Sequence, residues 1–223
     1  MKTLNLPKST ELNKKIPKQS FYENIDVPAN IKKFLVDQIQ SIIWRNKISP
    51  ETTNLAAGET VTEIQVFEIK LNSKELNEEV LRLIDKKIPY HIIFLLECDG
   101  KYQAWTAYKE ASLAGTSAFR VNRYYHTEWL AETEIPLFIE GLSIDKTYEN
   151  MFKQIAGGRL NSPDDESLGD AVVRNEKIEK INKQILFLQQ KLKKEKQFNK
   201  QVQLNDEIKK LRKELTTYED SIK

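Results

Sequence analysis

The stretch Val61–Lys109, VTEIQVFEIKLNSKELNEEVLRLIDKKIPYHIIFLLECDGKYQAWTAYK, decides the fold. Val61 to Leu71 is rich in β-branched residues and predicts a strand. Asn77 can cap a helix whose first turn carries Glu78 and Glu79 and whose inner face is Val80, Leu81 and Ile84. Lys86, Lys87 and Pro89 stop that helix. Tyr90 to Cys98 is the most apolar strand of the chain. Asp99-Gly100, which suits a turn needing two positive φ angles, then leads into a partner strand from Lys101 to Lys109. A strand, a helix and a second strand in that order predict a parallel pair joined by a crossover, and the Asp-Gly hairpin adds an antiparallel neighbour.

Working outward, further strands are expected over Phe119–Tyr125 and Pro136–Ile139. On the N-terminal side, Asp26-Val27-Pro28 opens a helix. Its stripe of Ile31, Phe34, Leu35, Ile39, Ile42 and Ile43 carries it to Trp44-Arg45. The first twenty residues, interrupted by Pro7 and Pro17, read as extended chain. A helix from about Asp145, with Tyr148, Met151, Phe152 and Ile155 inward, ends at Gly157-Gly158. Ser162-Pro163-Asp164-Asp165 signals a fresh helix start. The expectation is an α/β body over residues 1–160, with a mixed sheet of four or five strands and flanking helices.

From Ala171 to Lys223 there is no Gly or Pro, and 53 helical residues would span about 80 Å. Ile178, Ile181, Ile185, Leu188 and Leu192 form one heptad seam, and Leu204, Ile208, Leu211, Leu215, Tyr218 and Ile222 a second. The two registers differ by two residues across Glu195–Val202. We read residues 161–223 as one long coiled-coil helix, the alternative being a fold-back near Glu195 to Asn199. These seams, with Phe198 and Val202, are the expected partner-binding residues, because so long an apolar edge exceeds what a small body covers. Self-pairing into a homodimer is the competing use.

Composition limits the chemistry. The 223 residues carry 35 Lys plus Arg against 33 Asp plus Glu, a formal +2. Charge is uneven, at net +4 over residues 1–20, −7 over 21–175 and +5 over 176–223. The single Cys98 excludes an intrachain disulfide and a Cys-rich zinc site. The longest apolar run, Ile92 to Leu96, is far short of a membrane span, and the N-terminus lacks a signal-peptide core. A cytoplasmic protein with no membrane partner is expected. GxGxxG, phosphate-loop, HExxH and GxSxG motifs are absent, so no cofactor or metal is expected.

One catalytic pattern remains. Glu68 and Lys70 lie two apart on a strand and share a face, as do the metal-holding carboxylate and the water-steadying lysine of many metal-dependent nucleases. Glu51, or Glu59, would supply the upstream acid. The competing reading is a solvated strand face or cross-strand ion pair. His91 opens an apolar strand and reads as structural, and Tyr124-Tyr125-His126 reads as packing more readily than as a base-stacking cleft. Lys191, Lys193, Lys194, Lys196 and Lys200 are candidates for phosphate contact. No complete catalytic set appears, and the chain is read as non-catalytic in preference to an enzyme.

The blocks LPKSTELNKKIPKQSFYEN (6–24), SIIWRNKISPETTNL (41–55), EIQVFEIKL (63–71), IDKKIPYHIIFLLE (84–97), YYHTEWL (124–130) and KEKQFNKQVQLNDEIKKL (194–211) resemble a bacterial family, domain of unknown function 4391. The resemblance runs from Leu6 to about Leu215. The family has no assigned activity, so it transfers no catalytic residue. Its members are often encoded beside DNA methyltransferases and helicase-type ATPases. The resemblance therefore implies an accessory role in a restriction-modification or phage-defence assembly, with DNA reached indirectly through such a partner.

Overall fold

A computed structural model describes residues 4–23, 27–111, 119–160 and 166–220. The chain divides into two compact units, Met1–Gly157 and Gly158–Lys223. The first is an α/β body whose described strands are β1 (Glu11–Ile16), β2 (Ile39–Ile48), β3 (Ile64–Leu71), β4 (His91–Cys98), β5 (Lys101–Ala111) and β6 (Phe119–His126). They form one mixed sheet in the order β1-β2-β3-β4-β5-β6. Only β3 and β4 run parallel, joined by helix α2 (Glu78–Lys87); every other neighbouring pair is antiparallel. Asn77 accepts a hydrogen bond from the Glu79 amide at the start of α2. Asp99 and Gly100 take φ of 51° and 73°, the two positive angles the β4–β5 turn requires.

Strand alternation gives the sheet two faces. Phe67, Ile69, Phe94, Leu96 and Tyr124 point to one, where they bury Val80, Leu81 and Ile84 of α2. Ile31 and Leu35 of helix α1 (Ala29–Asp37) join the same core. Leu35, Leu81 and Ile84 are fully buried, and each such side chain contributes about 1.5–3 kcal/mol of transfer free energy. On the opposite face, Tyr125 packs its ring 5.0 Å from Phe152 of helix α3 (Ile144–Ala156). Tyr148 of α3 donates its hydroxyl to the Ala107 carbonyl at 2.8 Å.

Three expectations about the body are corrected. The sheet has six strands because residues 11–16 and 39–48 join it, while Pro136–Ile139 does not. Ile39, Ile42, Ile43 and Trp44 belong to β2 rather than to the first helix. That helix stops at Asp37 because distant groups satisfy its last carbonyls. Lys18 Nζ donates to Val36 O at 3.1 Å and Asn72 Nδ2 to Asp37 O at 2.7 Å, while Lys18 Nζ also reaches the Ile39 carbonyl, at the start of β2, at 2.5 Å. Such groups stand in for the missing intrahelical partners and free Ile39 to start a strand. Near residue 135 the chain instead makes a 3₁₀ turn, Glu132–Glu134. The proposed Asp26 cap and the Ser162-Pro163 start lie outside the described residues.

Asp145, in the first turn of α3, ties down the loop before β3. Its carboxylate accepts from the amides of Glu59 (2.6 Å), Thr60 (3.2 Å) and Val61 (2.7 Å) and from the Thr60 hydroxyl (2.8 Å). Burial opposes its charge, but these donors hold its pKa below the ordinary carboxylate value. The loop approaches so closely that a Cβ on Gly58 would sit 2.3 Å from the Val61 carbonyl oxygen and 2.8 Å from Asp145 Oδ1. Gly58→Ala is therefore expected to destabilise the body by about 1–3 kcal/mol, read as a lower urea midpoint with unchanged slope.

The second unit also differs from expectation. Instead of one long helix, it contains α4 (Leu168–Lys194) and α5 (Phe198–Asp220), separated by Glu195-Lys196-Gln197. Glu195 leaves the helical region at φ −75°, ψ 131°. Its carboxylate accepts from the Lys196 and Gln197 amides at 2.9 and 2.8 Å, and its carbonyl accepts from Gln201 Nε2 at 2.8 Å. The bend is thus made by a capping carboxylate, without Gly or Pro. Folding back brings the two out-of-register seams together. Ile181, Ile185 and Leu188 are buried with Leu204 and Ile208, and Leu192, Leu211, Leu215 and Tyr218 pack around them. The expectation that this ridge needs another chain to cover it is overturned, because the hairpin covers most of it. Among the described residues no helix is long and apolar enough to cross a membrane.

Candidate functional site

Two groups of ionisable side chains stand out in the body. The first lies on the α3 face of the sheet. Glu68 and Lys70 do share that face. Glu68 Oε2 accepts from Arg45 Nη1 of β2 at 2.7 Å, and Arg45 Nη2 also donates to Glu132. Lys70 Nζ sits 3.3 Å from Glu97 Oε2 of β4, while Glu97 Oε1 accepts the Gly100 amide at 2.9 Å. Burial raises the pKa of Glu68, with Arg45 opposing and Glu132 assisting. Burial, helped by Glu68 and Glu132, pushes the Tyr102 phenol up to about 12. Burial weakens the charge of Arg45, yet its bond to Glu132 and the field of Glu68 more than restore it.

Glu51 does not reach this group. Strands β2 and β3 are antiparallel, with Ile48 opposite Ile64 and Ile43 opposite Glu68. Glu51 follows the Ile48 end, so about 13 Å of strand separates that end from Glu68. There it accepts from the Ser49 hydroxyl at 2.6 Å. In place of Glu51, Glu68 meets a cation, Arg45, which it shares with Glu132. Among the described residues no three of His, Cys, Asp and Glu are grouped to hold a metal ion. The arrangement is a chain of satisfied ion pairs, with few lone pairs left for a divalent cation.

The second group is more deeply buried and lies on the α2 face. Lys109 Nζ is 2.7 Å from Asp85 Oδ1, with each side chain only 1% exposed. Lys109 also donates to the Tyr90 carbonyl at 2.5 Å, and Tyr124 donates its hydroxyl to Asp85 Oδ2. The Arg82 guanidinium sits 5.4 Å above the Tyr124 ring. Burial raises the pKa of Asp85 and lowers that of Lys109, each partly countered by the other. Burial, with Asp85 beneath the hydroxyl, drives the Tyr124 pKa far upward. Closed off from solvent, this network holds α2 to the sheet and offers no route for a substrate.

The remaining candidates are placed as follows. His91 is buried with its ring edge-on to Tyr148, centroids 4.4 Å apart. His126 stacks on Trp105 at 4.3 Å, and Tyr124 and Tyr125 point to opposite faces, so the aromatic run is packing. Cys98 is buried and free. On the hairpin, Ile181, Ile185, Leu188, Leu192, Leu204, Ile208, Leu211 and Leu215 line the interior or its edge, Ile178 is half-buried, and Phe198 and Val202 are exposed. Lys191, Lys193, Lys194, Lys196 and Lys200 are all exposed and gather at the bend. Sequence reasoning missed Arg45, Glu97 and Glu132 as partners of Glu68 and Lys70, and it missed the Asp85–Lys109 pair. One signal for the pair was available, because Asp85 falls on the apolar stripe of Val80, Leu81 and Ile84.

Fold and site together define a mixed-sheet α/β body that carries a helical hairpin, with its framework charges internally paired. The chain belongs to the family described as "Domain of unknown function (DUF4391)", whose model matches residues 4–215. No curated protein and no solved structure matches it.

Proposed function

We propose that this protein is an accessory, non-catalytic subunit of a bacterial DNA restriction-modification or phage-defence assembly, docking on a methyltransferase or helicase-type ATPase through its helical arm. One observation carries the reading. Leu186 and Phe187 of α4 stand 58% and 63% exposed, and Val202 of α5 44%, outside the seam that buries Ile181, Ile185 and Leu188. Large apolar side chains held in water on the arm are what a docking partner would cover. Residues 176–223 carry 13 basic and eight acidic groups, so the fitting partner presents an apolar groove with an acidic rim. The paired state of Glu68, Lys70 and Glu97 supports a structural role for the body.

The test is capture from cells that co-express the neighbouring methyltransferase and ATPase genes. Leu186→Asp with Phe187→Asp is expected to weaken capture at least about ten-fold and to abolish protection from phage, with the helical circular-dichroism signal unchanged. Glu68→Gln is expected to leave capture and protection intact. Loss of protection in Glu68→Gln with capture retained would instead establish the nuclease reading built on Glu68 and Lys70. A self-dimer that the arm variant dissociates, with no other protein recovered, would establish a homodimeric scaffold.

A further inference from the structure

The fold-back assembles a surface that a continuous helix would have spread along its length. Lys191, Lys193 and Lys194 close α4, Lys196 occupies the bend and Lys200 lies in the first turn of α5. All five lie within about one helical turn (5.4 Å) of the bend. The ten residues Lys191–Lys200 hold five lysines and one acid, a net +4. That acid, Glu195, already accepts the Lys196 and Gln197 amides, which hold its pKa below the ordinary value. Among the described residues the five lysines make no ion pair, whereas farther along α5 the bases Lys209, Lys210, Arg212 and Lys213 are flanked by Asp206, Glu207 and Glu214, with Lys209 4.0 Å from Asp206. Phe198 begins α5 at this same tip, 75% exposed.

We propose that the hairpin tip binds single-stranded nucleic acid, with the lysines following the phosphates and Phe198 stacking on a base. Each component has its own physical basis. Unpaired lysines gain by releasing condensed counterions from a polyanion, and this gain does not depend on sequence. An exposed aromatic ring at the first position of a helix needs an open base face, which a single strand offers and a stacked duplex does not. A protein groove that took Phe198 would have to accommodate five lysines around it, and a bilayer would gain little from one aromatic. The proposal does not depend on the docking reading, since Leu186, Phe187 and Val202 are different residues.

The experiment is fluorescence anisotropy of a labelled 20-nucleotide oligothymidine with the full chain, over a salt series. Engagement of three to five phosphates predicts a slope of log K against log salt of about −2 to −3.5. Replacing Lys193, Lys194 and Lys196 with Gln is expected to flatten that slope by about 2 units. The same change at Lys209, Lys210 and Lys213 is expected to leave it alone. Phe198→Ala is expected to weaken the oligonucleotide about ten-fold without changing the slope, and to leave weaker duplex binding unaffected. Equal slopes in the two lysine variants would overturn the proposal, as would duplex binding as tight as single-strand binding. So would adsorption to anionic phospholipid vesicles with no oligonucleotide binding.

Discussion

Replacing Lys109 with methionine is expected to destabilise the body by about 3–5 kcal/mol, because it leaves the Asp85 carboxylate buried without its cation. The geometry explains the size of the effect. Both side chains are 1% exposed, so water cannot replace the lost 2.7 Å contact. The Tyr90 carbonyl loses a donor as well. Methionine fills a similar volume, which separates the electrostatic cost from the cost of a cavity. The pair itself is not expected to be worth this much. Adding Asp85→Asn to Lys109→Met removes the stranded charge while keeping an acceptor for the Tyr124 hydroxyl, and should recover most of the loss. Urea unfolding reads both variants. A single variant within 1 kcal/mol of the natural chain, or a double variant no better than the single, would refute the argument.

The fold was legible where its determinants are local. The β3–α2–β4 unit could be read from β-branched runs, an Asn cap and an Asp-Gly turn, and each of these acts within a few residues. Strand β2 could not. The spacing of Ile39, Ile42 and Ile43 fits a helix stripe as well as a strand, and what decides between them is Lys18 and Asn72 capping α1 from elsewhere in the chain. Strand β1 has no apolar pattern of its own; all but one of its residues are exposed, and it exists because β2 offers it an edge. The hairpin bend was hidden for a related reason. Glu195 caps through its carboxylate in a stretch whose composition is otherwise helical, and the only local clue was the two-residue change of seam register.

The candidate site follows the same rule. Glu68 and Lys70 were visible as two charges on one face of a strand, but their partners were not. Arg45 is 23 residues from Glu68 and 87 from Glu132, and nothing local ties them together. Those partners decide the chemistry. Here Glu68 and Glu132 share one arginine as a structural ion-pair network, whereas the same two acids without Arg45 between them would favour a bound cation. The hairpin turns the argument the other way. Its seam looked like an interface and is the interior of the arm. The lysine run, a candidate for phosphate contact from sequence, sits at the hairpin tip once the chain reverses.

The body is further expected to lose stability in mild acid, and His91 is the cause. Burial drives its imidazole pKa down to about 3, with the positive charge of Lys109 adding to the effect and Asp145 opposing it. The ring packs against Tyr148 and is 6% exposed. In the unfolded chain the same group titrates near 6.5. Between those values the unfolded state binds a proton that the folded state refuses, so stability falls as the pH is lowered. At 1.36 kcal/mol per unit, the loss is about 2 kcal/mol between pH 6.5 and 5, and on the order of 4–5 kcal/mol by pH 3. His91→Gln is expected to flatten the upper part of this profile. Lys109→Met is expected to shift the His91 titration upward by removing the neighbouring cation. The imidazole carbon resonance of His91 reads the same event directly. A ring that titrates near 6.5 in the folded protein, or a natural chain whose urea midpoint is unchanged from pH 7 to 5, would remove His91 as the acid-sensitive element.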